Sequence, residues 1–260
     1  MLRYHQLNPI AINFGMIKIY WYGISYAVGF ALAWILARQR AKKYYPLWSS
    51  EIISDLIFCC ALSGIIGGRL GYVLIYNAKI FLHKPLAIFQ IWTGGMAFHG
   101  GIIGVIIGVW FFSRKIKTSF IQLLDFISPL VPPGIALGRI GNYINSELWG
   151  RVTTVPWGII FPNGGEFPRH PSQLYESFAE GVILFIIIWI YTAKPRSKGV
   201  TASLFLFYYG ILRFICEFFR EPDINIGFIA LNWLTMGQLL SLLVIIAGIC
   251  LFLYHKQFKD

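Results

Sequence analysis

Seven apolar runs of about 20 residues each constrain the fold of this chain more than any other feature. They lie at residues 17–37, 52–76, 95–113, 121–142, 174–192, 200–218 and 236–254. A helix of this length crosses the hydrocarbon core of a bilayer, and only 13% of the 260 residues are charged, against about a quarter in soluble domains. The sequence therefore predicts an all-α polytopic membrane protein with seven transmembrane helices, in one integral-membrane domain over residues 1–260.

Basic residues between the runs predict the orientation of the helices. Twelve of the 22 lysines and arginines follow the first, third, fifth and seventh runs, and seven lie on the opposite side. Because short cytoplasmic loops are rich in Lys and Arg, the N-terminus is expected outside and the C-terminus in the cytoplasm. Residues 145–170 then form a short outer arm or loop. The net charge of +11 reflects this topology rather than nucleic-acid binding.

Charged groups within the runs indicate a functional site, because a charge at bilayer depth costs about 2.5 kcal/mol or more unless it is paired or solvated. In the sixth run, four polar side chains share one helix face: Tyr209, Arg213, Glu217 and Arg220. One interpretation is a structural ion pair between Arg213 and Glu217. The other is an anion site, since Glu217 alone does not balance Arg139 and Arg69 as well.

The stretch over residues 138–150, GRIGNYINSELWG, places a cation, amides and a carboxylate at the end of an apolar run. If it is helical, Arg139, Asn142 and Ser146 share one face and the first two glycines lie on another. One face can then bind a ligand while the other packs. The glycines of the second and third runs have a simpler interpretation, since small residues four apart let helix backbones approach closely.

His99 is the only histidine within an apolar run. A lone histidine is commonly a packing residue. Imidazole also titrates near neutral pH, so His99 is a candidate general base in a site rich in arginine. Both interpretations stay open on the residues alone.

The stretch over residues 138–150 closely resembles the signature of the bacterial prolipoprotein diacylglyceryl transferases. Further matching motifs follow the same order along nearly the whole chain: WYG at 21–23, GGRLGY at 67–72, GGMAFHGG at 94–101, RHPSQLYE at 169–176 and YGILRF at 209–214. The resemblance implies a multi-pass enzyme of the bacterial inner membrane, with its active site toward the periplasm. It implies transfer of the diacylglyceryl group of phosphatidylglycerol to the lipobox cysteine of a preprolipoprotein, with no metal or other cofactor.

The resemblance also implies roles for individual residues. The catalytic set comprises His99, Arg213, Tyr22, Glu217 and Tyr209. The set for phosphatidylglycerol binding comprises Arg139, Asn142, Glu147, Gly150 and Arg69. We assign Arg139 and Arg213 to the phosphate and His99 to thiol activation, with a thiol pKa lowered by the arginines as the alternative. Residues 162–168 form a shorter segment than the outer insertion of many family members, so contacts between a periplasmic head and the preprotein are not carried over to this chain. We expect the protein to act as a monomer.

Other classes of membrane protein fit the residues less well. A transporter or lipid-binding protein for anionic substrates would also place charges at mid-depth, but the chain has no repeated half. An intramembrane protease would need a nucleophile with a base, or paired carboxylates, and we expect no second buried aspartate to partner Asp125. A purely structural membrane protein would not need three arginines within its runs.

Overall fold

The computed structural model describes residues 2–4, 7–15, 18–76, 78, 83–90, 94–222 and 227–257. The helices among them are α1 (Trp21–Tyr44), α2 (Ser50–Tyr76), α3 (Phe98–Lys115), α4 (Phe120–Ile127), α5 (Val131–Ile144), α6 (Ser172–Glu176), α7 (Leu184–Tyr191), α8 (Val200–Cys216) and α9 (Met236–Gln257). Each of the seven apolar runs is helical through most of its described residues. Ile17, where the first run was predicted to begin, lies outside them.

Three two-stranded sheets complete the described part of the chain. In the first sheet, β1 (Leu2–Arg3) is parallel to β4 (Ile159–Ile160). The other two sheets are antiparallel: β2 (Ile10–Asn13) pairs with β3 (Lys18–Tyr20), and β5 (Phe228–Ala230) pairs with β6 (Leu234–Thr235). The chain divides into two compact units, one of Met1–Leu36 with Asp125–Asp260 and the other of Ala37–Leu124. The first unit carries the signature stretch.

Four helices in the described part of the chain are long and apolar enough to cross a membrane: Ser50–Ile75, Phe120–Ile144, Ser172–Tyr191 and Met236–Lys256. The apolar helix Val200–Cys216 is shorter. A polytopic, mostly helical membrane protein is thereby confirmed, with 67% of the structure in helices. Seven crossings, the positions of the termini and a single domain over the whole chain stay predictions.

Glycines bring α2 and α3 together in the second unit, as their spacing predicted. A Cβ at Gly67 would lie 2.4 Å from the carbonyl oxygen of Gly100 and 2.7 Å from the Cα of Gly104. Only a residue without a side chain permits this backbone contact.

In the first unit, α4 and α5 run as one helix in spite of three prolines. Pro129 lies in the 3₁₀ turn Ser128–Leu130, and Pro132 and Pro133 occupy the first turn of α5. Helix starts tolerate proline, because their N–H groups have no partner within the helix. Earlier in this helix, Asp125 accepts the N–H groups of Gly199 at 2.6 Å and Ala202 at 2.8 Å. Its carboxylate therefore caps the N-terminus of α8.

A π-helical segment, Ser177–Ile183, joins α6 to α7 and packs on α5. A Cβ at Gly181 would lie 2.4 Å from the Cβ of Ala136. The Ser177 hydroxyl donates to the carbonyl of Ala136 at 3.1 Å. Segments of π-helix occur frequently at functional sites, and this one carries the buried Glu180 next to α5.

Candidate functional site

Six charged side chains of the first unit meet in what we call the Arg–Glu cluster: Arg139, Glu176, Glu180, Arg213, Glu217 and Arg220. They come from α5, α6, the π-helical segment, α8 and the turn that follows α8. Three guanidinium groups face three carboxylates, so the cluster is formally neutral. Buried charges are retained when they are paired in this way.

Arg139 and Arg213 share the carboxylate of Glu176. Arg139 Nε lies 2.8 Å from Glu176 Oε2, and Arg213 Nη1 lies 2.8 Å from Oε1. Glu180 lies 3.3 Å from Arg213 and 3.9 Å from Arg139. The side chains of Glu176 and Glu180 are 1% and 0% exposed. The expectation that Arg139 has no carboxylate to balance it is therefore wrong, because two glutamates of the fifth run lie beside it.

The predicted pair on the sixth run is confirmed. Arg213 Nη2 lies 2.7 Å from Glu217 Oε2, and Arg220 Nη1 lies 3.8 Å from the same oxygen. Tyr209 lies one turn before Arg213 and stacks on Phe205 at 5.9 Å. Arg213 thus contacts three carboxylates, which holds its planar guanidinium in one orientation.

The signature stretch ends α5 and forms a turn around Glu147. The Asn142 side chain donates to Glu147 Oε1 at 2.8 Å, and Asn145 donates to the same oxygen at 3.4 Å. Helix α5 ends at Ile144, so Ser146 does not continue the helical face of Arg139 and has a φ of 53°. The two amides fix the Glu147 carboxylate near the end of the helix that carries Arg139.

Gly150 lies where three backbone segments cross. Its N–H donates to the carbonyl of His170 at 2.8 Å. A Cβ at this position would lie 2.4 Å from the carbonyl oxygen of Phe219 and 2.6 Å from that of His170. Only glycine fits without moving the backbone, so Gly150 joins the signature stretch to the segment that follows α8.

Tyr22, in the first turn of α1, packs against α5, the helix that carries Arg139. Its Cδ2 would lie 2.8 Å from a Cβ at Gly141. Its hydroxyl lies 3.1 Å from that of Tyr26. Gly141 therefore packs on α1 while Arg139 enters the cluster, as the two-sided pattern predicted, whereas a Cβ at Gly138, on the same predicted face, would meet no atom within 4 Å.

Hydrogen bonds flank residues 145–170, which were predicted to form an outer arm. The Tyr4 hydroxyl, on the residue after β1, lies 2.9 Å from the carbonyl oxygens of both Tyr143 and Ile144. Burial raises the pKa of Tyr4. His170 Nδ1 lies 3.1 Å from the Tyr175 hydroxyl, and burial lowers the pKa of His170.

Arg69 and His99 belong to the second unit. The Arg69 guanidinium donates to the carbonyls of Ile88 at 2.9 Å and Gln90 at 3.0 Å, and also to those of Gly94 and Gly95. These four acceptors precede α3 in the chain. His99 is exposed in the first turn of α3. The roles of Arg69 in lipid binding and of His99 in catalysis stay predictions.

Sequence reasoning assigned no role to Glu176 and Glu180, although both lie within the fifth run. Two carboxylates one turn apart in an apolar run were the available signal. Within the described residues, no group of three or more His, Cys, Asp and Glu side chains is arranged to hold a metal ion.

Comparison with known proteins agrees with the resemblance. Residues 9–254 match the family model described as prolipoprotein diacylglyceryl transferase. A protein of Pseudomonas aeruginosa (strain LESB58) named phosphatidylglycerol–prolipoprotein diacylglyceryl transferase is 52% identical over 254 residues, which cover 98% of this chain and 96% of that protein. A protein of the same name from Coxiella burnetii (strain RSA 331 / Henzerling II) is 56% identical over 248 residues, 95% of each chain.

Proposed function

Because this chain belongs to the prolipoprotein diacylglyceryl transferase family, we propose that it transfers the diacylglyceryl group of phosphatidylglycerol to the lipobox cysteine of a preprolipoprotein. The cysteine sulfur bonds to the glyceryl carbon that carries the phosphate. The bond from that carbon to the phosphate oxygen breaks, and glycerol phosphate leaves with the electron pair. The proton of the thiol passes to a base. A thioether-linked diacylglyceryl cysteine results.

The observation that carries this proposal is the sharing of Glu176 by Arg139 and Arg213, at 2.8 Å on each side. A carboxylate between two guanidinium groups occupies the place that two phosphate oxygens would take. We propose that the phospholipid phosphate replaces Glu176 as the bridge between the arginines. The cluster is neutral beforehand, so an entering anion requires a carboxylate to move away or to take up a proton.

The same arginines serve the chemical step. Negative charge develops on the phosphate oxygen as its bond to carbon breaks, and fixed guanidinium groups stabilise that charge without reorganising. The thiol, with an ordinary pKa of about 8.5, must lose its proton before it attacks. His99 is the proposed base, and Tyr22, Tyr209 and Glu217 belong to the proposed catalytic set. The proposed lipid contacts, besides Arg139, are Asn142, Glu147, Gly150 and Arg69.

The proposed topology has seven spans with the N-terminus in the periplasm. Four helix ends meet at the Arg–Glu cluster: the end of α5, the start of α6, the end of α8 and the start of α9. Contacts of Arg139, Glu176 and Glu217 join them. The opposite ends of α7 and α9 carry basic residues, among them Lys194, Arg196 and Lys256. Positive charge marks the cytoplasmic side. The cluster then opens toward the periplasmic side of the inner membrane, in a protein that acts as a monomer.

A transfer assay tests the proposal. Purified protein is incubated with labelled phosphatidylglycerol and a lipobox peptide, and mass spectrometry follows the peptide while released glycerol phosphate is quantified. We expect thioether and glycerol phosphate in equal amounts, and no product from a peptide with serine in place of cysteine. Lipid binding without product would instead support a transporter or lipid-binding protein for anionic substrates.

A further inference from the structure

The start of α9 lies against the carboxylate of Glu217. The Thr235 hydroxyl donates a hydrogen bond to Glu217 Oε1 at 3.1 Å. The other oxygen, Oε2, accepts Arg213 Nη2 at 2.7 Å. Thr235 and Glu217 are buried, at 2% and 4% exposure. Glu217 therefore joins the Arg–Glu cluster to the seventh apolar run, which sequence analysis left out of the site.

Thr235 also caps α9. Its N–H donates to Gln238 Oε1 at 2.9 Å, and its hydroxyl oxygen accepts the N–H of Gln238 at 3.2 Å. This reciprocal pair is a capping box, which satisfies N–H groups that a helix start leaves without partners. Because the hydroxyl oxygen accepts from Gln238, its single proton is available to Glu217. Capping thus orients the donor toward the carboxylate.

Gly237 lets the helix start approach the carboxylate closely. A Cβ at Gly237 would lie 2.4 Å from Glu217 Oε1 and 2.5 Å from Glu217 Cδ. The positive end of the helix dipole therefore lies beside a negative group, which stabilises the ionised carboxylate. Farther along the two helices, a Cβ at Gly210 of α8 would lie 2.6 Å from Cγ1 of Ile245 of α9. This close packing keeps the start of α9 beside Glu217.

We infer that Thr235 is a positioning residue for the transfer reaction. It holds Glu217 in the orientation in which Oε2 binds Arg213, and so fixes the guanidinium that contacts the phosphate. The inference rests on the proposed function, because it takes Arg213 as a phosphate ligand. If Thr235 only capped α9, each substitution there would lower the activity to the same extent as it lowers the stability.

Four variants of the full chain separate positioning from capping. Thr235→Ser keeps both the cap and the donor, and Thr235→Val removes both. Thr235→Gly keeps most of the cap and adds no charge, but has no hydroxyl to donate. Gln238→Met removes the reciprocal acceptor and leaves the hydroxyl in place. The melting temperature in detergent, and kcat and KM for phosphatidylglycerol with a lipobox peptide, are measured for each.

Loss of a hydrogen bond to a charged group should lower kcat about 10- to 100-fold in Thr235→Val and Thr235→Gly, whereas Thr235→Ser and Gln238→Met stay within about threefold of the wild type. Low kcat in Thr235→Gly with a melting temperature near that of the wild type supports positioning even if Thr235→Val does not fold. Wild-type kcat in Thr235→Gly, or equal losses in Thr235→Val and Gln238→Met that follow their melting temperatures, would overturn the inference. If the wild type forms no thioether, the proposed function fails instead.

Discussion

Arg139 Nε lies 2.8 Å from Glu176 Oε2, so the arginine assigned to the phospholipid phosphate is paired with a buried carboxylate. A guanidinium in this state is held in place and neutralised at the same time. It becomes a phosphate ligand only by exchanging one anion for another. Under the proposed function, the lipid headgroup would compete with Glu176 for Arg139.

Glu176→Gln should strengthen inhibition by glycerol phosphate, since it removes the competing charge and leaves the side-chain shape. We expect the inhibition constant to fall about three- to tenfold. Glu221→Gln is the matched control, because Glu221 pairs with Arg169 at 3.1 Å outside the cluster. Unchanged or weaker inhibition of Glu176→Gln would argue against competition.

Arg213→Lys should abolish most of the activity although it keeps the charge. Arg213 contacts Glu176, Glu180 and Glu217 within 3.3 Å, and a single ammonium group does not reproduce the planar fork. We expect kcat to fall about 100-fold or more. Steady-state kinetics with phosphatidylglycerol check this, and a kcat within twofold of the wild type would contradict a requirement for the planar guanidinium at this position.

Two glycines of the signature stretch should differ in their tolerance of alanine. A Cβ at Gly150 meets the backbone oxygens of Phe219 and His170, whereas a Cβ at Gly138 has no atom within 4 Å. Gly150→Ala should destabilise the protein by about 2 kcal/mol, and Gly138→Ala should be neutral or slightly stabilising. Melting temperatures in detergent compare the two. Equal effects would contradict the crossing of three segments at Gly150.

His170 should make stability fall in mild acid. Burial lowers its pKa in the folded state below the unfolded value of about 6.5. The unfolded chain therefore binds the proton more readily, so the contribution is complete above about pH 6.5 and is lost as the pH falls through the lowered native pKa. Melting temperatures of wild type and His170→Gln across this range measure it. The variant should show a shallower decline, and parallel curves would exclude His170 as its source.

Apolar patterning predicted the helices well, but the sequence did not show which charged side chains of different helices meet. The run at 121–142 remains helical because its prolines lie at helix starts. Helix α1 reaches Tyr44, beyond the run that ends at 37. An apolar window ends where charges begin, but a helix continues through basic residues at a membrane surface.

The contacts that sequence reasoning missed at the site join side chains of different helices. Arg213 and Glu217 are four residues apart, so their contact follows from helix geometry. Glu176 approaches Arg139 from another helix, and the contact depends on how Gly181 packs against Ala136. Thr235 has a visible signal, the T-x-x-Q pattern of a capping box before the seventh run. Its bond to Glu217 depends on tertiary packing.

Measurement of kcat/KM for phosphatidylglycerol in Arg139→Ala and Lys115→Ala tests most directly whether the Arg–Glu cluster binds the phosphate. Each variant removes one positive charge, but Lys115 belongs to an exposed pair with Asp55. We predict a loss of about 100-fold or more in Arg139→Ala and wild-type behaviour in Lys115→Ala. Wild-type kcat/KM in Arg139→Ala would contradict a phosphate site in the cluster.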